Sequence, residues 1–180
     1  LDFAINWNNQ GFNVDRDARK IFATNSTYTE SAISFMTPPD LSMGKMVANK
    51  GRMILVHGVA DPVFSANDTI DWYEKFKATH GSSATDFARL FLIPGMGHSR
   101  GGPSTDQTDL VDVLVNWVER GIAPDAVVAR ARGKGGAISP INEDVPVFWS
   151  ANRSRILCPY PATPRYKGTG DSENAVNFFC

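Results

Sequence analysis

An aspartate and a histidine placed just past the ends of two successive apolar strands can do acid–base chemistry together. Asp61 follows the run Arg-Met-Ile-Leu-Val-His (52–57), and His98 follows Arg-Leu-Phe-Leu-Ile (89–93). In a parallel sheet a strand–helix–strand unit brings both following loops to the same carboxyl edge, where ligands bind in open α/β sheets. A serine hydroxyl is a poor nucleophile until a neutral imidazole takes its proton. The imidazole in turn needs a carboxylate at its other nitrogen, to fix the tautomer and to stabilise the imidazolium. Asp61 and His98 stand in the order of the last two members of a Ser…Asp…His triad. The serine is expected upstream of Leu1.

Each residue alone says little. Asp61 precedes Pro62, and Asp-Pro is a common turn former. The His98 loop, Pro-Gly-Met-Gly-His-Ser-Arg-Gly-Gly-Pro (94–103), has glycines that leave room for a ligand, but such loops are also merely flexible. The combination of strand-end Asp, one helix and strand-end His favours catalysis. A rival lies in the same loop. Gly97-His98-Ser99-Arg100-Gly101 matches the Gly-x-Ser-x-Gly nucleophile elbow. The elbow turns straight from strand to helix, whereas here the apolar strand ends at Ile93 and Gly101-Gly102-Pro103 delay the helix. The triad order also requires a later Asp and a later His, yet the histidines are His57, His80 and His98. Ser99 is therefore set aside as nucleophile. His57 reads as structural or site-lining, and His80 as solvated. Trp72 and Trp117 fall in helices and read as packing. No spacing resembles a zinc site or a phosphate-binding glycine loop.

The elements that must position Asp61 and His98 are legible. Ser65 can cap a helix with Asp68 three residues on, followed by Ile70, Tyr73 and Phe76 at helical spacing, and Gly81-Ser82-Ser83 ends it. Phe87 to Ile93 suits a buried parallel strand despite Arg89. Ser104-x-x-Gln107 reads as a capping box. It precedes a helix with Leu110, Val113, Leu114, Trp117 and Val118 on one face, stopped by Gly121 and Pro124. Ala126–Ala131, Val145–Trp149 and Arg155–Cys158 are further strand candidates, with a turn at Gly133–Gly136 and an irregular stretch from Tyr160 to Asp171. Residues 1–40 are polar and weakly periodic, with a short helix possible at Arg16–Ala23. A break follows at Thr37-Pro38-Pro39-Asp40, and a second short helix is expected over Leu41–Asn49. The expected organisation is a connector over 1–40 and a core over 41–180.

Composition bounds the rest. The 180 residues are 42% hydrophobic and carry a net charge of −1. That balance gives no electrostatic case for nucleic acid or an anionic membrane as partner, and no apolar run approaches the roughly 18 residues of a membrane span. The opening Leu-Asp-Phe-Ala-Ile-Asn-Trp reads as the middle of a protein. The two cysteines are Cys158 and the terminal Cys180. They are either two free thiols or a disulfide. A terminal cysteine after the apolar run Val-Asn-Phe-Phe favours the disulfide, which would stabilise by roughly 3 kcal/mol in the chain-entropy model and points to an oxidising compartment.

Several motifs together resemble the tannase and feruloyl esterase family. They are Val56-His57-Gly58-Val59-Ala60-Asp61-Pro62, Ile70-Asp71-Trp72-Tyr73-Glu74, and Arg89 through His98 followed by Gly101-Gly102-Pro103. Further along come Trp117 through Asp125, Cys158-Pro159-Tyr160-Pro161, Tyr166-Lys167-Gly168 and the final Cys180. The likeness covers roughly residues 40 to 180. The family includes esterases of galloyl and feruloyl esters and the mono(2-hydroxyethyl) terephthalate hydrolases.

The resemblance implies an α/β fold. This chain would be the C-terminal half of an α/β-hydrolase core, a mostly parallel sheet with flanking helices, its lid and nucleophile part lying before Leu1. Asp61 would be the triad acid and His98 the general base of a serine esterase acting on a small aromatic or phenolic ester. No cofactor is implied in this chain, since the structural calcium that family members often hold belongs to the lid. The other implied partner is the N-terminal part of the same protein. Secretion or a periplasmic location is implied, in agreement with the cysteines. One departure stands out: the residue after the triad histidine is usually a cysteine bonded to one beside the nucleophile, and here it is Ser99. On its own this chain is expected to be inactive. The alternative is a non-catalytic binding or structural module that kept a hydrolase scaffold.

Overall fold

The computed structural model describes residues 11–37 and 40–180. The chain divides into two compact units, Leu1–Leu41 and Ser42–Cys180. In the first, a helical turn Val14–Asp17 runs into a 3-10 turn Ala18–Phe22, and a short helix spans Ala32–Met36. Asn13 caps the first turn through the Arg16 amide. Arg16 and Lys20 surround the buried Asp17 carboxylate. The opening heptapeptide and the Pro38-Pro39 pair lie outside the described residues.

The second unit is built on the strand–helix–strand segment. Strand β1 (Met53–Gly58) and strand β2 (Ala88–Ile93) pair in parallel, from Met53 opposite Ala88 to Gly58 opposite Ile93. The helix Ala66–His80 connects them. Its start is the expected one: the Ser65 hydroxyl accepts the Asn67 amide at 3.2 Å. Gly81 ends it at a φ of 59°.

Side chains alternate across a strand, and here the two faces go to different cores. Met53, Leu55, Ala88, Leu90 and Leu92 face the helix, where they meet the fully buried Tyr73 and Phe76. Ile54, Val56, Phe91 and Ile93 face the other way, onto Met96, Leu110, Val113, Val127, Ala129 and Leu157. That second core is roofed by the helix Leu110–Arg120 and by antiparallel strands β3 (Gln107–Thr108), β4 (Val127–Arg130) and β5 (Ser154–Leu157). Packed layers on both faces explain why β2 is apolar on both sides. Its one charge, Arg89, lies over the Trp117 ring at 5.4 Å. A final antiparallel pair, β6 (Arg165–Tyr166) with β7 (Phe178–Phe179), closes the tail.

The fold is α/β, and among the described residues the parallel pairing is that of β1 with β2. Other expectations are corrected. The Ser104–Gln107 capping box does not form. Gln107 is drawn into a ladder with Arg130, Ser104 donates to the Gly101 carbonyl, and the helix starts five residues later than a Ser104 cap implies, at Leu110 behind Asp109. Val118 is 60% exposed, so the apolar stripe is narrower than its sequence pattern. Val145–Trp149 is a turn, because Pro146 and its neighbours fold back through the Trp149 amide onto the Pro146 carbonyl. The first short helical stretch is shifted to Val14–Phe22 and ends in a 3-10 turn, and the second is trimmed to Gly44–Ala48. No described helix is long and apolar enough to cross a membrane.

Candidate active site

Both expected residues arrive at one place. The β1 loop carries Asp61 and the β2 loop carries His98, and His98 Nδ1 lies 2.9 Å from Asp61 Oδ2. The loops are joined through backbone before the side chains meet. Val59 N–H donates to the Ile93 carbonyl and Ala60 N–H to the Met96 carbonyl, each at 3.0 Å. Gly58 permits this approach. A Cβ there would stand 2.4 Å from both the Met96 and Gly97 carbonyl oxygens.

Asp61 is held from several sides. Its Oδ1 accepts the Val63 amide at 2.7 Å and the Phe64 amide at 3.1 Å, and its side chain is 6% exposed. Burial pushes its carboxyl up. The His98 contact and the Val63 and Phe64 amides more than offset this, so the group is held down at about 2. At neutral pH it is an ionised acceptor with no proton to give. His98 Nδ1 must then be the donor, and the neutral ring presents a bare Nε2 lone pair. Among the described residues Nε2 has no hydrogen-bond partner, and the side chain is 49% exposed beside the Phe64 ring. A buried carboxylate fixing one ring nitrogen, with the other nitrogen open, can take a proton from a hydroxyl or water.

His57 does structural work here. Its Nε2 donates to the Phe64 carbonyl at 3.2 Å, and its Nδ1 is hydrogen-bonded to the Thr69 hydroxyl at 2.7 Å. It ties the Asp61 turn to the helix that follows and stands 3.7 Å from Asp61 Oδ2. His80 is not simply solvated. Its Nε2 donates to the Ser42 carbonyl at 2.6 Å and its ring packs on Phe76. Ser99 has a φ of 65°, one mark of a strained turn. No helix begins until Leu110, and no histidine follows Ser99 in the chain. Cys158 and Cys180 are joined.

Sequence reasoning missed the polar scaffold beneath the His98 loop. Asp106 and Arg132 form a buried bidentate pair. Asn142 and Asp144 add bonds to Gly102. A faint signal existed: Arg132 is a charge in a small-residue run, Ala-Arg-Ala-Arg-Gly, at a strand end. Among the described residues, no group of three or more His, Cys, Asp and Glu could hold a metal ion.

The family model for tannase and feruloyl esterase matches residues 3–180. The chain belongs to the tannase and feruloyl esterase family. Within it, the chain is 43% identical over 169 residues to a mono(2-hydroxyethyl) terephthalate hydrolase of Piscinibacter sakaiensis, covering 94% of this chain and 26% of that protein. It is 34% identical over 146 residues to a probable feruloyl esterase of Arthroderma benhamiae, covering 79% of this chain and 24% of that protein. The chain thus spans about a quarter of the length of these curated relatives. Among solved structures, an esterase from Aspergillus oryzae superposes with a TM-score of 0.67 at 23% identity, covering 97% of this chain and 34% of that one. Feruloyl esterase B from the same organism superposes at 0.60 and 24% identity, covering 78% and 29%. These two likenesses show that the fold is shared.

Proposed function

We propose that this chain supplies the acid and the base of a Ser–His–Asp triad in a carboxylic ester hydrolase acting on aromatic or phenolic acid esters. The observation that carries the reading is the contact between the ionised Asp61 carboxylate and His98 Nδ1, with Nε2 left open. Family membership and the named activities of the relatives support the substrate class. The serine, in this reading, belongs to a segment outside these 180 residues, as do the remaining strands of a mostly parallel sheet.

In the proposed reaction His98 Nε2 takes the serine proton as the serine oxygen attacks the ester carbonyl carbon. The carbonyl electron pair moves to oxygen and then returns, breaking the bond to the alcohol. The alcohol leaves with the proton from His98. Water, deprotonated by His98, attacks the acyl-serine and releases the acid, and His98 returns its proton to the serine. Asp61 stays ionised throughout and stabilises the imidazolium. The reaction as written needs no cofactor from these residues, and no step runs through the calcium implied for the family's lid. The disulfide supports a secreted or periplasmic location.

The test uses the intact protein and a short aromatic ester such as methyl ferulate. His98→Ala is expected to lower kcat by about 10⁴-fold or more with the fold retained by circular dichroism, and Ser99→Ala to leave kcat within about twofold, the change expected of a bystander. These 180 residues alone should not turn over. No hydrolysis by the intact wild type, with the Asp61–His98 hydrogen bond present by NMR, would replace the esterase with a non-catalytic module. Loss of activity in Ser99→Ala equal to that in His98→Ala would make Ser99 the nucleophile.

A further inference from the structure

The His98 loop is poorly suited to stand still by itself. Between Ile93 and Gln107 it contains Gly95, Gly97, Gly101 and Gly102, and Gly95, Ser99, Gly101 and Gly102 all hold positive φ. Glycine loses the most backbone freedom on ordering. Half of the loop is stitched to the Asp61 loop through the Met96 carbonyl. The other half, past His98, has a separate anchor.

That anchor is a carboxylate. Asp106 Oδ2 accepts the Gly101 amide at 2.8 Å and an Arg132 Nη2 donor at 2.5 Å, while Oδ1 accepts Arg132 Nε at 2.9 Å. The Asp106 side chain is 1% exposed and that of Arg132 is 9%. Arg132 Nη1 donates to the Pro140 carbonyl, and the Arg132 carbonyl accepts the Asn142 amide. Asn142 Nδ2 then donates to the Gly102 carbonyl at 2.8 Å, and Asp144 Oδ2 accepts the Gly102 amide at 3.0 Å. Gly101 and Gly102, three and four residues after His98, are thus held by a polar frame rooted in one guanidinium. Gly102 itself admits no side chain, since a Cβ would stand 2.1 Å from the Gly95 carbonyl oxygen.

We propose that Asp106 and Arg132 are positioning residues for His98. They lock the far half of its loop so that Nδ1 stays on Asp61 and Nε2 stays aimed at the substrate side. Neither touches the reacting atoms. A buried pair that served stability alone could be replaced by apolar groups at little cost, but such a replacement would also strip the Gly101 amide of its acceptor. The pair's two oxygens and planar fork match loop and guanidinium at once, which neither an amide nor a lysine can do. Asp106→Asn turns one acceptor oxygen into a donor facing either Gly101 N–H or Arg132.

The proposal rests on the esterase reading for its kinetic readout, so the test has a second readout that does not. Asp106→Asn and Arg132→Lys are made in the intact protein and assayed well below their melting temperatures. A misplaced base should lower kcat by on the order of 10²-fold, with KM nearly unchanged. In ¹⁵N-histidine-labelled protein the His98 Nδ1–H proton, assigned by its loss in His98→Ala, should shift and exchange faster with water. Asp144→Ala, a surface change that removes the Gly102 acceptor, should move both readouts the same way by less. Glu173→Gln, which breaks the ion pairs to Arg153 and Arg155 elsewhere in the unit, should move neither. Folded variants with kcat within about twofold of wild type and an unmoved Nδ1–H resonance would overturn the proposal, since even small misplacement costs rate. If Asp106→Asn fails to fold, Arg132→Lys and Asp144→Ala decide it on the same readouts. If the intact protein hydrolyses no ester, the esterase reading fails and the resonance alone decides the positioning.

Discussion

The edge that carries Asp61 and His98 and the tail from Cys158 to Cys180 are both short on regular structure, yet they are held in different ways. The edge relies on directional bonds: amides to carbonyls across the two loops, amides to carboxylates within them, and a glycine where backbones nearly touch. The tail adds one covalent link at its ends, 22 residues apart. Between them lie the β6–β7 pair, the Tyr160 amide on the Leu90 carbonyl, the Ser154–Glu173 and Ala175–Ser154 bonds, the Glu173 ion pairs to Arg153 and Arg155, and turns bonded within the tail itself. A hydrogen bond fixes angle as well as distance. A disulfide mainly limits how far the unfolded chain can wander. The edge is therefore held by directional bonds alone, and the tail by directional bonds plus a covalent tether.

The largest expected effect breaks the accuracy of the edge without touching its packing. Asp61→Asn keeps shape but leaves an amide beside His98 and loses control of the imidazole tautomer. A drop in kcat on the order of 10⁴ is expected, with the native circular dichroism spectrum retained. Gly58→Ala should damage both fold and activity. Its Cβ has no room between two carbonyl oxygens, and parting the loops breaks the Ala60–Met96 bond. A loss of several kcal/mol or failure to fold is expected, in the class of overpacked and strained sites, checked by denaturant titration.

The double change Cys158→Ala/Cys180→Ala should show the reverse pattern. It should cost about 3 kcal/mol in stability by loop entropy, while kcat measured below the melting temperature stays near wild type. A comparable loss of kcat would erase the distinction between the two regions. The smallest effect is acid sensitivity. The Asp61 carboxyl is held at about 2 against an ordinary 3.8, so its contribution to stability is fully present above about pH 4 and is lost as pH falls through about 2. Acid titration by circular dichroism should show this in wild type, and Asp61→Asn should remove that part of the curve.

The sequence disclosed what depends on local pattern. Strand-end Asp61 and His98, the apolar β2 run, the Ser65 cap and the Gly121 stop could all be read because each is specified by its near neighbours. The features it hid depend on residues far apart in the chain. Ser104 and Gln107 carry a local capping signal, but pairing of Gln107 with Arg130 overrides it. Val145–Trp149 has strand-like residues, but no partner strand claims them. Asp106 and Arg132 are separated by 26 positions, and nothing near either one announces the other. His80 reads as solvated until the Ser42 carbonyl, 38 positions away, is brought against it.

The backbone stitching at Gly58 also changes the assembly problem that any triad must solve. Three groups ordinarily have to be brought into register. Here Asp61 and His98, the acid and base of the proposed triad, sit on loops that share amide-to-carbonyl bonds, so in that reading the two form a single preassembled part. The proposed serine would then have one surface to meet instead of two moving ones. The entropy of aligning the dyad is already spent during folding, and only the placement of one hydroxyl against one imidazole is left to be tuned.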